Sequence, residues 1–472
     1  MSGRTQAVRS LAFLFPLAIA GMVFSCAADL ARAQQRRERE PWSVYAERRA
    51  KLLAQADGPI VLFGYTGMEE EAQTYLFSQE ENFYYLTGYN DEGAGLLLVP
   101  ESKNHTAGQI EGNAPREILF LPPRNPRKER WVGPRPGPDD PDISQKTGFA
   151  VVKPFPQMRA SLEKLARAYD NFYTILPYEK ELGGYPHEKE WTQYVQQSVP
   201  QAKLNDLRAK IGALRQIKSP GEIAFLTKAI NASDDAHLAA MKRMRPGLYE
   251  YQVAATMLYT FSDQGCEAPA YAPIVGAGWN STVLHYDTLS KKIADGDIVV
   301  LDVGGQFSGY AADITRTLPA NGTFTPRQRE IYEIVLGAQN AAIAALKPGM
   351  GLGRKSKNSL FEIAYNYINS HGKDKQGRPL GPYFIHGLGH HIGLNVHDAG
   401  DPDRPLEPGM VITIEPGIYI TEENLGVRIE DNFLITNTGY KFLSENLPRS
   451  ADEIEKIMNK AQTQPAQPAR HD

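Results

Sequence analysis

The sequence predicts an α/β protein (α+β in detail) built as two domains, and three observations carry that expectation. The chain has 472 residues, more than one ordinary hydrophobic core encloses, so two domains are the natural expectation. Short apolar runs of strand length alternate with amphipathic stretches of helix length. A strong helix start, Ser219-Pro220 with Glu222 three residues after the serine, opens a new block after a mixed first part that ends near residue 200. Composition is that of a globular protein: 42% hydrophobic, 22% charged and a net charge of −4 with both signs mixed. Nothing in that balance points to nucleic acid as a partner.

The elements follow in chain order. Residues 1–33 read as an export leader. Arg4 and Arg9 give a positive start, "LAFLFPLAIAGMVF" (11–24) is apolar but short for a membrane span, and "ARA" (31–33) allows cleavage before Gln34. This places the mature chain outside the cytoplasm, in a periplasm, with no further segment able to span a membrane. The alternative is a lipoprotein leader through Cys26 in "VFSC". The other cysteine is Cys266, so a processed chain has no disulfide framework. Residues 34–44 read as a polar linker. The first domain spans 45–200, with "GPIVLFGY", "AGLLLVP" and "EILFLPP" as buried strands. The second spans 201–460. It begins with the helical text "SPGEIAFLTKAINASDDAHLAAMKRM" and continues with strands "DIVVLDVGG", "ADITRTL", "MVITIEPGIYI" and "GVRIEDNFLI". "QREIYEIVLGAQNAAIAAL" is a long helix between them. Residues 461–472 are polar and contain proline, the composition of a disordered tail.

Several of these strands carry acids where apolar side chains belong. Asp302 and Asp313 lie in the two arms of a hairpin. A turn centred on Phe307 and Ser308 would set them opposite each other, where like charges are destabilising. A shared cation, a nearby arginine or a retained proton would each relieve that. Glu415 sits inside "MVITIEPGIYI", and a buried carboxylate must be paired or coordinated. Glu430 repeats the pattern, with Arg428 two residues away as an ion-pair alternative. "HGLGHHIGLNVHD" (386–398) holds four of the ten histidines: His386, His390, His391 and His397. Four carboxylates and imidazole on apolar strands and Gly-rich turns suggest two divalent metal ions. Such ligation favours a hard cation such as Mn(II), in a pair sharing carboxylates and a bridging water or hydroxide.

The series Asp302, Asp313, His390, Glu415, Glu430, in the contexts "LDVGGQFSGYAADITRT", "HGLGHHIGLNVHD", "TIEPGIYI" and "VRIEDN", resembles the ligand set of the pita-bread metallopeptidases. Within that group "SQEENFYYLTGYNDEGAGLLLVP", "ERWVGPRPGP", "LRQIKSPGEIAFL" and "ENLPRSADEIEKIM" resemble aminopeptidase P, over residues 42–459. The resemblance implies a creatinase-like N-terminal α/β domain followed by a C-terminal pita-bread catalytic domain. It implies that Asp302 and Asp313 chelate one metal, that Asp313, His390 and Glu415 hold the other, and that Glu430 bridges. His285 in "NSTVLHYD", His386 and His397 match positions used for substrate and transition-state hydrogen bonds, and Glu415 doubles as the proton shuttle. Arg404, Tyr419 and Arg428 match supporting or substrate-binding positions, whereas His391 matches none.

The implied reaction removes an N-terminal residue from peptides with proline second, and the family is often dimeric or tetrameric. Prolidase, acting on Xaa-Pro dipeptides, shares the ligands and is the nearest alternative. A non-catalytic peptide-binding pita-bread protein and a metal-free creatinase-like hydrolase are readings of other kinds, and the intact ligand set disfavours both.

Overall fold

The apolar runs pair into sheets because each offers a face that must leave water. The computed structural model describes residues 37–69, 76–100, 116–178 and 186–463. The leader with Cys26, the start of the linker and the tail from residue 464 lie outside the described residues. The first helix, Trp42–Leu53, begins within the segment read as linker, behind Pro41.

In the first domain six strands form one sheet: β1 (Ile60–Phe63), β2 (Gly95–Leu98), β3 (Glu117–Leu121), β4 (Val152–Pro154), β5 (Asn171–Thr174) and β6 (Lys203–Asp206). Their order is β4-β3-β2-β1-β5-β6, antiparallel from β1 through β3 and parallel at β3–β4, β1–β5 and β5–β6. β1 and β2 are buried along their whole length, the signature of strands covered on both faces. Val61, Phe63 and Leu97 pack on one face with Phe172 and Val195, while Ile60, Leu62 and Leu96 join the larger core on the other. The sheet runs past the boundary expected at residue 200. β6 reads "KLND", a half-exposed edge strand without the apolar run that marks the others.

The second domain starts at the helix Pro220–Arg243, where Ser219 and Glu222 form the capping box that the sequence announces. Its strands are β7 (Ala268–Pro269), β8 (Ile274–Ala277), β9 (Ile298–Asp302), β10 (Gly305–Phe307), β11 (Tyr310–Ala311), β12 (Thr315–Pro319), β13 (Val411–Ile414), β14 (Gly417–Ile420), β15 (Leu425–Arg428), β16 (Asp431–Ile435) and β17 (Tyr440–Phe442). Helices Glu250–Asp263, Pro326–Ala345, Leu360–His371 and Ala451–Thr463 complete it; the last extends into the region read as tail. Among the described residues no helix is long and apolar enough to cross a membrane.

Two local expectations are corrected. The turn of the aspartate hairpin sits on Ser308 and Gly309, both left-handed, so Phe307 faces Tyr310 and Asp302 faces Thr315. Asp313 is therefore diagonal to Asp302 on the same face, one turn residue away from the opposed register. The runs around Glu415 and Glu430 are not continuous strands either. β13 pairs with β16 and β14 with β15, and each run breaks at its glutamate, one of them at Pro416. At these interruptions the chain turns its carboxylates inward.

Buried polar contacts tie the two domains together. Arg48 of the first helix pairs with Glu222 at 3.0 Å, and Tyr85 Oη donates to the Leu214 carbonyl at 3.0 Å. Arg215 bridges Asn82 and Asp398.

Candidate metal centre

β9 delivers Asp302 from its end, and Asp313 stands just before β12. The strands can approach this closely because Gly304 lies on the Ala312 carbonyl, where a β-carbon would stand 1.9 Å from its oxygen. Glu415 and Glu430 come from the breaks after β13 and before β16. The histidine-rich segment runs along β13: Thr413 N–H donates to the His390 carbonyl (2.9 Å) and Glu415 N–H to that of Leu388 (2.8 Å). Gly389 permits that approach, since a β-carbon there would meet the Thr413 oxygen at 2.1 Å.

The five expected ligands converge. Potential ligand atoms of Asp302, Asp313 and Glu430 lie within 4.8 Å of one another, as do those of His390, Glu415 and Glu430. A third such group, Asp313, His390 and His397, brings in a histidine that the resemblance assigns to substrate. His390 Nε2 lies 3.3 Å from Asp313 and 3.5 Å from Glu415. Its Nδ1, 3.1 Å from the His391 carbonyl, is the protonated nitrogen in the neutral ring, which leaves Nε2 as the ligand atom.

The electrostatics are those of a site built for a cation. Burial, then Asp302, pushes the Asp313 carboxyl above its ordinary range. Burial pushes Glu415 up to about 7, and burial with Asp313 and Glu415 pushes Glu430 well above that of a free carboxyl. Burial alone would lower the His390 imidazole, but Asp313 and Glu415 outweigh it and lift it to about 9. Without a cation, protons must supply the missing positive charge. Tyr271 Oη lies 2.6 Å from Asp302 and 2.5 Å from Asp313. One hydroxyl has one proton to share, so both contacts together need a protonated carboxyl. Glu430 Oε2 accepts from Thr315 at 2.8 Å, yet its buried Oε1 has no partner. An orphaned buried carboxylate oxygen is costly, and a coordinated ion removes the cost. The donors present therefore fit two hard divalent cations, and Cys266 has no place among them.

Arg428 does not pair with Glu430. Its guanidinium contacts Asp302 at 2.5 Å and Tyr419 Oη at 2.7 Å. Tyr419 in turn donates to His386 Nε2 at 2.9 Å, and His386 Nδ1–H donates to the Gly387 carbonyl at 2.8 Å. That relay fixes a neutral His386, lowered to about 3 by burial and Arg428, with Nδ1 3.7 Å from Glu415. Both His386 nitrogens are thus engaged within the protein. His397 is exposed, with its ring centroid 4.0 Å from that of His390 and tilted 33° to it; partial desolvation and His390 lower it to about 4. His285 is exposed close by and adds to the charge felt by His386 and His397. His391 is buried against Gly400, where a β-carbon would stand 2.0 Å from the ring. Arg404 is exposed on its loop, and among the described residues its side chain is not in the cluster.

The sequence reading missed Tyr271, Thr315 and Thr413, which border the carboxylates, and Asp398 beside His397. Tyr271 stands alone in "APAYAP", with no periodicity to betray it. Asp398 lies within the quoted histidine segment. Its carboxylate is clamped by buried Arg215 and by Lys218 at 2.9 Å, which signals a fixed loop.

Residues 224–437 match metallopeptidase family M24, and residues 45–173 match the aminopeptidase P N-terminal domain. The chain is 36% identical to the Xaa-Pro aminopeptidase of Haemophilus influenzae, over 89% of this chain and 98% of that one. It is 37% identical to the Xaa-Pro dipeptidase of Pyrococcus horikoshii, over 78% and 92%. Zinc-substituted Escherichia coli aminopeptidase P in complex with product superposes with a TM-score of 0.77 at 30% identity, covering 90% of this chain and all of that one.

Proposed function

Because the chain belongs to the aminopeptidase P branch of metallopeptidase family M24, we propose that it releases the N-terminal residue from peptides whose second residue is proline. The observation that carries the reading is the convergence of Asp302, Asp313, His390, Glu415 and Glu430 into one buried cluster with an unpartnered carboxylate oxygen. These five residues would hold two divalent cations, and Mn(II) suits their oxygen-rich chemistry. Bound there, the ions supply the acidity that turns water into a nucleophile at neutral pH and polarises the scissile carbonyl.

The chain's own residues do the rest. The bond is a tertiary amide, so its nitrogen offers no N–H, and a site must recognise the ring by shape. Glu415 takes the proton released by the attacking water and returns it to the departing proline nitrogen. His386, held neutral by Tyr419, lies beside Glu415 with Nδ1 3.7 Å from its carboxylate. His285 and His397, both exposed, meet the peptide and stabilise charge developing on its carbonyl oxygen. Arg428 holds Asp302 through an ion pair. Arg404 is left as a candidate for binding the peptide's distal part. Export by the leader would place this activity outside the cytoplasm.

The test compares X-Pro-Y, X-Pro and X-Ala-Y at equal concentration with Mn(II). The expected result is release of X from X-Pro-Y with little action on X-Ala-Y. Cleavage of the dipeptide alone would make the chain a prolidase, the activity named for the Pyrococcus relative. Equal cleavage of X-Ala-Y would remove proline specificity.

A further inference from the structure

The two hairpins that carry the carboxylates share a weakness. β9 and β12 are regular up to Asp302 and from Thr315, and the regular pairing lapses between Asp302 and Gly305 on one arm and between Ala311 and Thr315 on the other. The second hairpin lapses likewise, at Glu415–Pro416 and at Ile429–Glu430. These gaps free the carboxylates to turn inward. A thinned ladder still crosses them, Val303 N–H to the Ile314 carbonyl at 3.1 Å in one and Ile429 N–H to the Pro416 carbonyl at 3.4 Å in the other, against the repulsion of the acids the strands carry.

At each gap a fully buried side chain from a helix reaches across both strands. His237, on the helix Pro220–Arg243, places Nε2 3.1 Å from the Val303 carbonyl and 3.1 Å from the Ile314 carbonyl. These are the residues just after Asp302 and Asp313. Gln339, on the helix Pro326–Ala345, places Nε2 3.1 Å from the Ile414 carbonyl and 3.2 Å from the Ile429 carbonyl. These are the residues just before Glu415 and Glu430. Two carbonyls can be drawn to one atom only by a donor, so His237 Nε2 carries the ring proton. The Gln339 amide is oriented independently, because its oxygen accepts from Arg449 at 2.9 Å, and its nitrogen also reaches Asp431 at 2.9 Å. Neither residue touches the cluster itself, and neither has a role in the chemistry above.

We propose that His237 and Gln339 are twin positioning residues, each using one buried nitrogen to hold together the strands that carry one carboxylate pair. His237 sets the spacing of Asp302 and Asp313, and Gln339 that of Glu415 and Glu430. The proposal rests on reading the cluster as a metal site, because the spacing matters only to a shared cation. Helix packing fixes each donor, so the core reinforces the thinned ladders in setting the distance between the acids.

The experiment titrates Mn(II) by calorimetry into the metal-free mature protein, alongside its melting without metal. Variants His237→Leu and Gln339→Met remove the donors, and His237→Gln keeps one. The donor-free variants are expected to melt cooperatively without metal yet bind Mn(II) ~10–100-fold more weakly, the usual cost of losing an outer support of a metal site. His237→Gln keeps most of the affinity. Turnover of the donor-free variants recovers at saturating Mn(II) with KM for peptide unchanged, since the clamps meet no substrate. Unaltered Mn(II) affinity in His237→Leu and Gln339→Met overturns the proposal. Should either donor-free variant fail to fold, His237→Gln decides: weak binding there overturns it and near-native binding upholds it. A wild-type protein that binds no Mn(II) would instead defeat the metal reading itself, and the clamps with it.

Discussion

Replacing Asp398 by Asn should both destabilise the protein and slow it, and the size can be worked from its surroundings. The carboxylate is buried and faces two buried cations, Arg215 and Lys218. Burial alone would raise it, but Arg215 and Lys218 outweigh burial and hold it at about 2, from an ordinary 3.8. A depression of that size corresponds to about 2 kcal/mol of stabilisation of the charged form. Leaving both cations without their anion adds to the loss, so the variant should lose about 3–5 kcal/mol at neutral pH. The sign with pH follows from a depressed folded-state value. The contribution is complete above the unfolded value near 4, falls to roughly half at pH 3, and vanishes as the pH passes below 2. Wild-type and Asp398→Asn proteins, compared by urea unfolding from pH 7 to pH 3, should therefore differ most at pH 7 and converge on acidification. Turnover at pH 7 should fall too, because Asp398 anchors the loop that presents His397. Equal unfolding midpoints at pH 7, or a gap that does not narrow on acidification, would refute the reasoning.

Other outcomes follow from the same geometry. Asp313→Asn removes an acid from two of the three ligand groups and should abolish bound metal and turnover together, read by metal analysis and peptide assay. His397→Ala should keep most metal and lose turnover by ~100-fold, on the scale of a lost oxyanion donor, whereas His390→Ala loses the metal; equal metal loss in both would make His397 a ligand. The mature chain should begin at Gln34, and intact mass of protein recovered from the producing cell checks it; a mass retaining residues 1–33 contradicts the leader.

Much of the site was legible because its residues break local rules. Asp302 and Glu430 stand out as acids against apolar runs, and such conflicts collect at functional sites. What escaped was register. A turn on Ser308–Gly309 and one on Phe307–Ser308 fit the same text, and only the tertiary pairing tells them apart. Glu415 and Glu430 were placed within strands because apolar runs do not show where a strand changes sheet. Tyr271 and Thr315 are ordinary residues whose role is purely spatial. His237 and Gln339 escaped most completely: each sits on a helix whose pattern says only that one face is buried. In the first domain β1–β3 were plain from their apolar runs, whereas the edge strand β6 had none.

The central claim is that the buried carboxylate–imidazole cluster acts through divalent cations on X-Pro bonds. The most direct measurement follows X-Pro-Y hydrolysis by the mature protein, stripped of metal and then titrated with Mn(II), with bound metal counted at every point. The account predicts no turnover in the stripped protein and a rate that rises with metal bound, saturating at two ions per chain. Full turnover with no metal bound, or two ions bound with no release of X from X-Pro-Y, would contradict it.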